Sequence, residues 1–112
     1  MSSASVQVLA GDAAPVFAAL GDRTRLSLLE RLSDGRPRSI SSLSNDGELT
    51  RQAVTKHLHV LEKAGLVDSV RVGRESRFAY RPEAVMQAQA YLETVSAQWD
   101  DALSRLRAFV ER

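Results

Sequence analysis

The chain has 112 residues, of which 44% are hydrophobic and 26% charged, with a net charge of +1, so it is one ordinary globular domain rather than a disordered chain. It contains no cysteine, which excludes disulfides, thiolate metal sites and cysteine nucleophiles. No apolar run approaches the ~18 residues of a membrane-spanning helix and no signal peptide is recognisable, so we expect a cytoplasmic protein without a membrane partner.

The N-terminal segment predicts little regular structure. Residues 1–11 are small and polar and show no hydrophobic period, so we expect a flexible tail there. Asp12 has a side chain that can cap a helix, and we predict a short first helix over residues 13–20.

A second and a third helix are predicted next. Asp22 can cap the second helix, and Gly35 stands where a left-handed residue would end it. The apolar residues of this helix recur at three-residue steps and are expected in the core: Leu26, Leu29 and Leu32. Ser39, two residues after Pro37, can cap a short third helix, and residues 45–47 (Asn-Asp-Gly) mark a turn after it.

The fourth predicted helix has one buried side and one polar side. Thr50 can cap it, and Gly65 can end it. Val54, Leu58 and Leu61 are spaced by four and three residues, which predicts a single buried stripe. The side that faces outward is polar and partly basic: Arg51, Gln52, Thr55, Lys56 and His59.

A β-hairpin is predicted after this helix. Val70 and Val72 alternate with polar residues, the residues from Gly73 to Ser76 form a turn, and Phe78 and Tyr80 alternate again. We therefore expect one apolar face that carries these four side chains. The other face and the tip would present four arginines: Arg71, Arg74, Arg77 and Arg81.

The last 30 residues, 83–112, predict one long helix, which Pro82 and Glu83 suit as a first turn. Such a helix spans roughly 45 Å, whereas a 100-residue domain has a radius of gyration of about 13 Å, so a second copy of the chain should cover part of it. Apolar residues follow heptad steps along it: Val85, Ala88, Leu92, Val95, Trp99, Ala102, Leu106 and Phe109. We assign a homodimer interface to Val85, Leu92, Val95, Trp99, Leu106 and Phe109.

This order of elements predicts a mainly α fold with a small β-hairpin, α-α-α-α-β-β-α, which is the winged helix-turn-helix arrangement. Residues 50–82 carry seven Lys or Arg against three acids, whereas the other 79 residues carry eight against eleven. Cations are thus concentrated where phosphate contact is needed. We expect residues 12–82 to bind double-stranded DNA and residues 83–112 to dimerise within the same compact unit.

Three separated motifs resemble the ArsR family of bacterial transcriptional repressors: FAALGDRTRLSLLERL, TRQAVTKHLHVLEKAGLV and GRESRFAY. They occur in order at the expected spacing, and the match covers about residues 14–112. The resemblance implies a homodimer that binds an imperfect inverted repeat in an operator. It also implies that binding blocks transcription until a signal weakens it.

The chain departs from the pattern of the metal-sensing members of that family. Those members carry a Cys-x-Cys pair in the third helix, where this chain has Ser39 and Ser41. Others bind zinc through Asp and His on the last helix, which here has acids but no histidine: Glu93, Asp100, Asp101 and Glu111. We therefore predict no metal and no cofactor. Gly47 and Glu48 also replace the usual apolar-glycine pair of the turn, which predicts a looser exit from the third helix.

The candidate DNA contacts differ in chemistry. Gln52 can form a two-pronged hydrogen bond to adenine, Thr55 can touch a thymine methyl, and Lys56 can reach guanine or phosphate. Arg51 at the helix start suits phosphate. The remaining candidates are Thr50, His57 and His59 on the helix, Arg71, Arg74, Ser76 and Arg77 in the wing, and a phosphate contact at Ser39. Arg74 and Arg77 suit the phosphate backbone or a narrow minor groove, while packing or one phosphate contact is favoured for His57.

Several alternatives stay open at this point. The scaffold could serve as a protein-interaction module, or as a nucleoid-type protein that binds DNA without sequence preference. Tyr91 and Trp99 could line a pocket for an unknown small-molecule effector, although interface packing is favoured. No nucleophile-base pair, paired-carboxylate site or phosphate loop is present in the pattern, so we predict no enzyme activity.

Overall fold

The structure, a computed structural model, describes residues 3–45 and 48–111, with side chains from residue 11 onward. Its elements in chain order are α1 (Ser3–Leu20), α2 (Arg23–Leu32), β1 (Arg38–Ser39), α3 (Ile40–Ser44), α4 (Arg51–Lys63), β2 (Val67–Val72), β3 (Glu75–Tyr80) and α5 (Pro82–Val110). The fold is mainly α-helical with a small antiparallel sheet, as predicted. Residues 1, 2, 46, 47 and 112 lie outside the described part, and with them Asp46 and Gly47 of the predicted turn.

The core is built around one side of α4. Val54, Leu58 and Leu61 are each 0% exposed, which confirms the predicted stripe. Residues from every other helix and from the wing strands pack around this stripe: Val16, Ala19, Leu28, Leu32, Leu43, Leu66, Val67, Phe78, Ala84 and Ala88. Because the stripe fixes the rotation of α4 about its axis, it also fixes which α4 side chains face solvent.

Glycine ends α4 as predicted. Gly65 has a φ of 78°, in the left-handed region that glycine enters without steric cost. The Gly65 amide donates to the Glu62 carbonyl, and the Leu66 amide donates to the Leu61 carbonyl, both at 2.9 Å. This is the Schellman pattern, which satisfies two carbonyls at the helix end. It turns the chain directly into β2, so the wing begins at a fixed angle to α4.

The first helix is longer than predicted. It begins at Ser3, so Asp12 lies exposed within α1 and does not cap it, and the predicted tail is helical from residue 3 onward. Pro15 stands inside α1 as well. Tertiary packing supplies most of the stability of helices in proteins, and α1 packs against α5. A local capping signal at Asp12 was therefore a poor guide to where the helix starts.

The inner face of α2 is also different from the prediction. Leu32 is buried and Leu29 is half-buried, but Leu26 is 46% exposed and Leu28 takes its place in the core. An α-helix turns through about 100° per residue, so each three-residue step moves a side chain about 60° around the axis. A run of such steps drifts away from the core, which explains the error.

The sheet has three strands in the order β1-β3-β2, of which the sequence predicted two. The missed strand contains only Arg38 and Ser39, which pair with Phe78 and Arg77. A strand of two residues is too short for an alternating pattern, so no periodic signal could have indicated it. Its effect is to attach the start of α3 to the wing.

The two faces of the hairpin are assigned differently from the prediction. Gly73 and Arg74 form a two-residue turn, so Val72 pairs with Glu75 and Val70 with Arg77. Directly opposite residues of an antiparallel pair share a face. The prediction of one apolar face is therefore wrong: Phe78 and Tyr80 face the core, whereas Val70 and Val72 lie half-exposed on the opposite face.

The long last helix is confirmed. Pro82 occupies its first turn and it continues for 29 residues to Val110. The molecule is consequently elongated, with a radius of gyration of 18.7 Å against about 13 Å for a compact chain of this length. None of the helices in the described residues combines the length and the apolar character needed to cross a membrane.

The two leucines of α2 provide a test of the core. Leu28→Ala should lower the free energy of unfolding by roughly 2–5 kcal/mol, because it leaves a cavity among buried side chains. Leu26→Ala, at a half-exposed position of the same helix, should cost less than about 1 kcal/mol. Urea unfolding at one fixed protein concentration measures both. Equal losses would show that the core face of α2 is assigned incorrectly.

Candidate nucleic-acid interface

The exposed side of α4 carries a continuous row of polar side chains. Thr50 caps the helix, accepting the Ala53 amide at 3.1 Å. Opposite the buried stripe, exposed residues follow each other at steps of four, three and four: Gln52, Lys56, His59 and Lys63. Together with Arg51 and Thr55 we call these residues the reading face. Lys63 was missed from the sequence, although the same steps that placed Gln52 and Lys56 extend to it.

The first two turns of α4 determine which polar groups of the reading face are available to a ligand. The Thr55 hydroxyl donates to the Arg51 carbonyl at 2.7 Å, so its proton is used within α4 while its methyl group and remaining lone pairs are available. Arg51 and Gln52 are both exposed in the first turn, where the helix begins. A shallow, open depression runs over this surface, lined by Thr50, Arg51, Gln52, Ala53, Thr55, Lys56 and His59.

The two histidines of the chain lie on different sides of α4. The His57 Nδ1 is 3.9 Å from the Asp22 carboxylate, so this half-buried ring faces α2 and lies away from the reading face. The structure thus places the His57 ring beside α2, and the phosphate contact that was the other expectation for His57 stays a prediction. His59 is exposed on the reading face, with its ring centroid 6.4 Å from that of the buried Phe78. It therefore covers the base of the wing.

A joint between α1, α2 and α4 is centred on Asp22. Its carboxylate caps α2 by accepting the Arg25 amide at 3.0 Å. The Arg25 guanidinium returns to the end of α1, donating to the Ala19 carbonyl at 2.6 Å and the Ala18 carbonyl at 3.2 Å. The hydrogen bond from the Arg25 amide, followed by the charges of Arg25 and His57, lowers the pKa of Asp22 below its ordinary value. One short segment thereby orients three helices.

A second arginine of α2 holds the end of α3. The Arg31 guanidinium donates to the Leu43 carbonyl at 2.8 Å and to the Ser42 carbonyl at 3.2 Å. The last carbonyls of a helix lack partners within it, so these bonds satisfy groups that would otherwise need water. These hydrogen bonds attach the C-terminal end of α3 to α2. The predicted looseness of the α3 exit rests on Gly47 and Glu48, of which Gly47 lies outside the described residues, so it stays a prediction.

Ser39 occupies a shared position between the sheet and α3. Its hydroxyl oxygen caps α3 by accepting the Ser42 amide at 3.1 Å, which confirms the predicted cap. Its backbone belongs to β1 and pairs with Arg77 of β3. The predicted phosphate contact at Ser39 remains a prediction, and the hydroxyl proton is the group that could make it.

The register divides the wing arginines between the two faces of the hairpin. Arg71 is opposite the half-buried Ser76 and shares the Phe78 face, against which α4 packs. Ser69 on that face donates to the Glu62 carboxylate of α4 at 2.7 Å. Arg77 lies on the other face, where its guanidinium pairs with Glu75 at 3.3 Å. Arg71 is thus on the side of the reading face and Arg77 is not.

Ion pairs also distinguish the cations of α4 and the wing, because some have acidic partners and others do not. Arg81 is paired with Asp68 at 3.2 Å and with Glu83 at 3.6 Å. Over residues 50–82, all of which the structure describes, the cations without an ion pair are Arg51, Lys56, Lys63, Arg71 and Arg74. Exposed cations without an acidic partner are available to a phosphate backbone. They lie on the reading face, on the adjoining wing face and at the wing tip.

A second exposed surface runs along α5. The row of α5 that packs on α1 includes Ala88, which is buried, and Tyr91, whose ring is 6.1 Å from that of Phe17. An adjacent row is apolar but exposed and contains Leu92, Trp99, Leu103, Leu106 and Val110, with Phe109 at its edge. We call these six residues the α5 row. Leu103 and Val110 were missed from the sequence.

Two of the predicted interface positions have another environment. Val85 packs against the core of its own chain, and half-buried Val95 lies one helical turn from Tyr91 on the α1 side. Tyr91 and Trp99 do not form a pair within the chain, because Tyr91 packs on Phe17 whereas Trp99 is 65% exposed. In the part of the chain whose side chains are described, no three His, Asp or Glu side chains converge on a point that could hold a metal ion.

The fold and the reading face define a DNA-binding protein of the winged helix-turn-helix class. The profile of a helix-turn-helix domain family matches residues 20–70. An ArsR-like transcriptional regulator from Rhodococcus sp. RHA1 is 39% identical, superposes with a TM-score of 0.79, and is matched over 88% of this chain and 92% of that one. The chain belongs to the ArsR family of transcriptional regulators, as the sequence motifs indicated.

Two further proteins are similar to this chain, one in sequence and one in fold. The HTH-type transcriptional regulator YuzN of Bacillus subtilis is 43% identical over an alignment of 70 residues, which covers 57% of this chain and 76% of that protein. A homodimeric winged helix-turn-helix DNA-binding domain from Mycobacterium bovis superposes with a TM-score of 0.66 over 88% of this chain and 90% of that one. Its identity of 23% makes it similar in fold alone.

The joint at Asp22 should make stability depend on pH in acid. Because the folded state lowers the pKa of Asp22, its carboxylate contributes stability above the ordinary value of 3.8, and this contribution is lost as the pH falls below it. Asn can still cap a helix but does not titrate. The stability difference between the wild type and Asp22→Asn should therefore narrow on acidification. Urea unfolding across this range measures it, with exposed Asp12→Asn as control. A difference that stays constant with pH would contradict the role of Asp22.

Proposed function

We propose that the chain is a homodimeric, sequence-specific transcriptional repressor that binds an inverted-repeat operator in double-stranded DNA in the cytoplasm. The observation that carries this proposal is the reading face of α4, which presents Gln52, Lys56, His59 and Lys63 on one side beside the unpaired Arg71 of the wing. The proposed activity is binding, without catalysis.

Base recognition is assigned to the middle of the reading face. Gln52 is exposed and can donate to N7 and accept from N6 of adenine in the major groove. Lys56, one turn further along, can donate to the acceptors of guanine. Arg51 and Lys63, at the two ends of α4, suit phosphates on either side of the groove. This division supports sequence preference from the centre of the helix and general affinity from its ends.

The α5 row supports self-association. Six large apolar side chains along one side of a helix form an exposed surface that a monomer has no means of burying. Their heptad spacing suits a second copy of the same helix, and the Mycobacterium bovis domain of the same fold is homodimeric. A symmetric dimer would place two copies of α4 in successive major grooves, about 34 Å apart, so an inverted repeat is the expected operator.

Repression follows from occupancy of the operator. A bound dimer covers about one turn of duplex between its half-sites and excludes other proteins from it, including a polymerase whose promoter overlaps the site. Release then requires only that a signal weaken dimerisation or displace α4. We propose an unidentified effector as that signal, which would act on the proposed interface at the α5 row or on the joint at Asp22, which contacts α4 through His57.

Substitutions on α4 and in the wing should have different effects. Gln52→Ala should cost about 1–3 kcal/mol on the operator and much less on random duplex, because it removes a base contact. Arg74→Ala should weaken both duplexes alike and lower the salt dependence. Arg77→Ala, at an arginine on the opposite face of the wing, is the matched control and should change little. The measurement is the affinity for a duplex selected from a random pool and for a scrambled duplex.

Equal losses on both duplexes in Gln52→Ala would show that another residue reads the bases. Equal affinity of the wild type for both duplexes would favour a nucleoid-type protein. A complex that does not weaken as salt rises would favour a protein-interaction module, because only phosphate contacts release counterions.

The α5 row should control oligomeric state. Trp99→Glu or Leu106→Glu places a charge in the proposed interface, so we expect monomers by light scattering and severe loss of operator binding. Ala97→Glu adds the same charge to an exposed position on another side of α5 and should remain dimeric. If Trp99→Glu stays dimeric, the interface lies elsewhere.

A further inference from the structure

His59 occupies a central position on the reading face. It lies between Lys56 and Lys63 in the exposed row of α4, and its ring rests near Phe78 at the base of the wing. Any duplex that contacts both Lys56 and the wing passes over this imidazole. From the sequence alone, His59 ranks below His57 as a DNA contact, because the direction in which each ring points depends on packing that the sequence does not show.

The charged groups around His59 come from two elements. On α4 they are Lys56, Lys63 and Glu62, and the Glu62 carboxylate is already hydrogen-bonded to Ser69. On β2 the charged residue that shares the face packed against α4 is Arg71, whereas Ser76 and Phe78 of β3 carry no charge. The surroundings of His59 are thus mainly cationic before DNA binds.

A bound duplex changes these surroundings. Phosphates bring negative charge to within a few ångströms of the reading face, and nearby negative charge favours the protonated form of an imidazole. A protonated ring donates hydrogen bonds from both nitrogens, whereas a neutral ring donates from one. Phosphate oxygens and the guanine edge in the major groove offer only acceptors. The protonated ring is therefore the form that matches DNA.

We propose that His59 binds DNA in its protonated form, so that complex formation takes up one proton from solvent at this side chain and tightens as the medium becomes more acidic. This inference rests on the proposed function, since it requires the reading face to enter the major groove. It adds a regulatory property, because operator occupancy then responds to the pH of the medium.

The test compares binding at about pH 6 and about pH 8 for the full chain, at two salt concentrations. The probes are a duplex selected from a random pool by the wild type and a scrambled duplex of equal length. The wild type should bind the selected duplex about tenfold more tightly at the lower pH, because the protonated ring is the form that the complex holds. The dependence of its affinity on salt should also become steeper by about one phosphate.

Two variants separate His59 from other titrating groups. His59→Gln should reduce the ratio of affinities between the two pH values to less than about twofold, because Gln cannot gain a proton. His57→Gln, on the Asp22 side of α4, should keep the ratio of the wild type. A ratio that survives in His59→Gln, or that disappears in His57→Gln instead, would overturn the proposal.

A second measurement does not depend on the variants. The imidazole Cε1–H signal of His59, followed by NMR in the wild-type protein, should titrate at higher pH with the selected duplex than without it, and an unchanged titration would overturn the proposal. Failure of the wild type to bind either duplex at any pH would instead refute the proposed function. Selective binding that is independent of pH would refute the proton linkage alone.

Discussion

The burial of Val54, Leu58 and Leu61 against the rest of the core is the constraint on which the structure depends. These three side chains fix the rotation of α4 about its own axis, and a rotation of about 100° would replace one set of exposed residues by the next. The chemistry presented to DNA is therefore decided by hydrophobic packing on the far side of the helix. Under the proposed function, DNA specificity and stability are linked, because they use opposite sides of the same 13 residues.

Much of the fold could be predicted because its signals are local. The caps at Asp22, Ser39 and Thr50 and the end of α4 at Gly65 each depend on residues within one helical turn, and all are found as expected. The start of α1 could not be predicted from Asp12, because the helix continues through this residue and its capping side chain does not mark a helix end. The strand β1 could not be predicted either. It has only two residues, which cannot show an alternating pattern, and it forms by pairing with residues far away in the sequence.

The candidate site was predictable to a similar degree and for similar reasons. Gln52 and Lys56 follow from the spacing of the buried stripe, and the same spacing would have yielded Lys63. The faces of the wing arginines depend on a register that one residue more or less in the turn would reverse, so Arg71 and Arg77 were not distinguishable from composition. The two histidines, two positions apart on α4, differ in environment only because distant residues, Asp22 and Phe78, lie beside them.

The position of Ser39 has a mechanical consequence for the whole domain. Because this residue is at once a strand partner of Arg77 and the cap of α3, any tilt of the wing relative to the core must carry the beginning of α3 with it. The wing and α3 are thus expected to move together about the three-stranded sheet. A duplex that bends toward the wing tip would reorient α3, even if it made no contact with that helix.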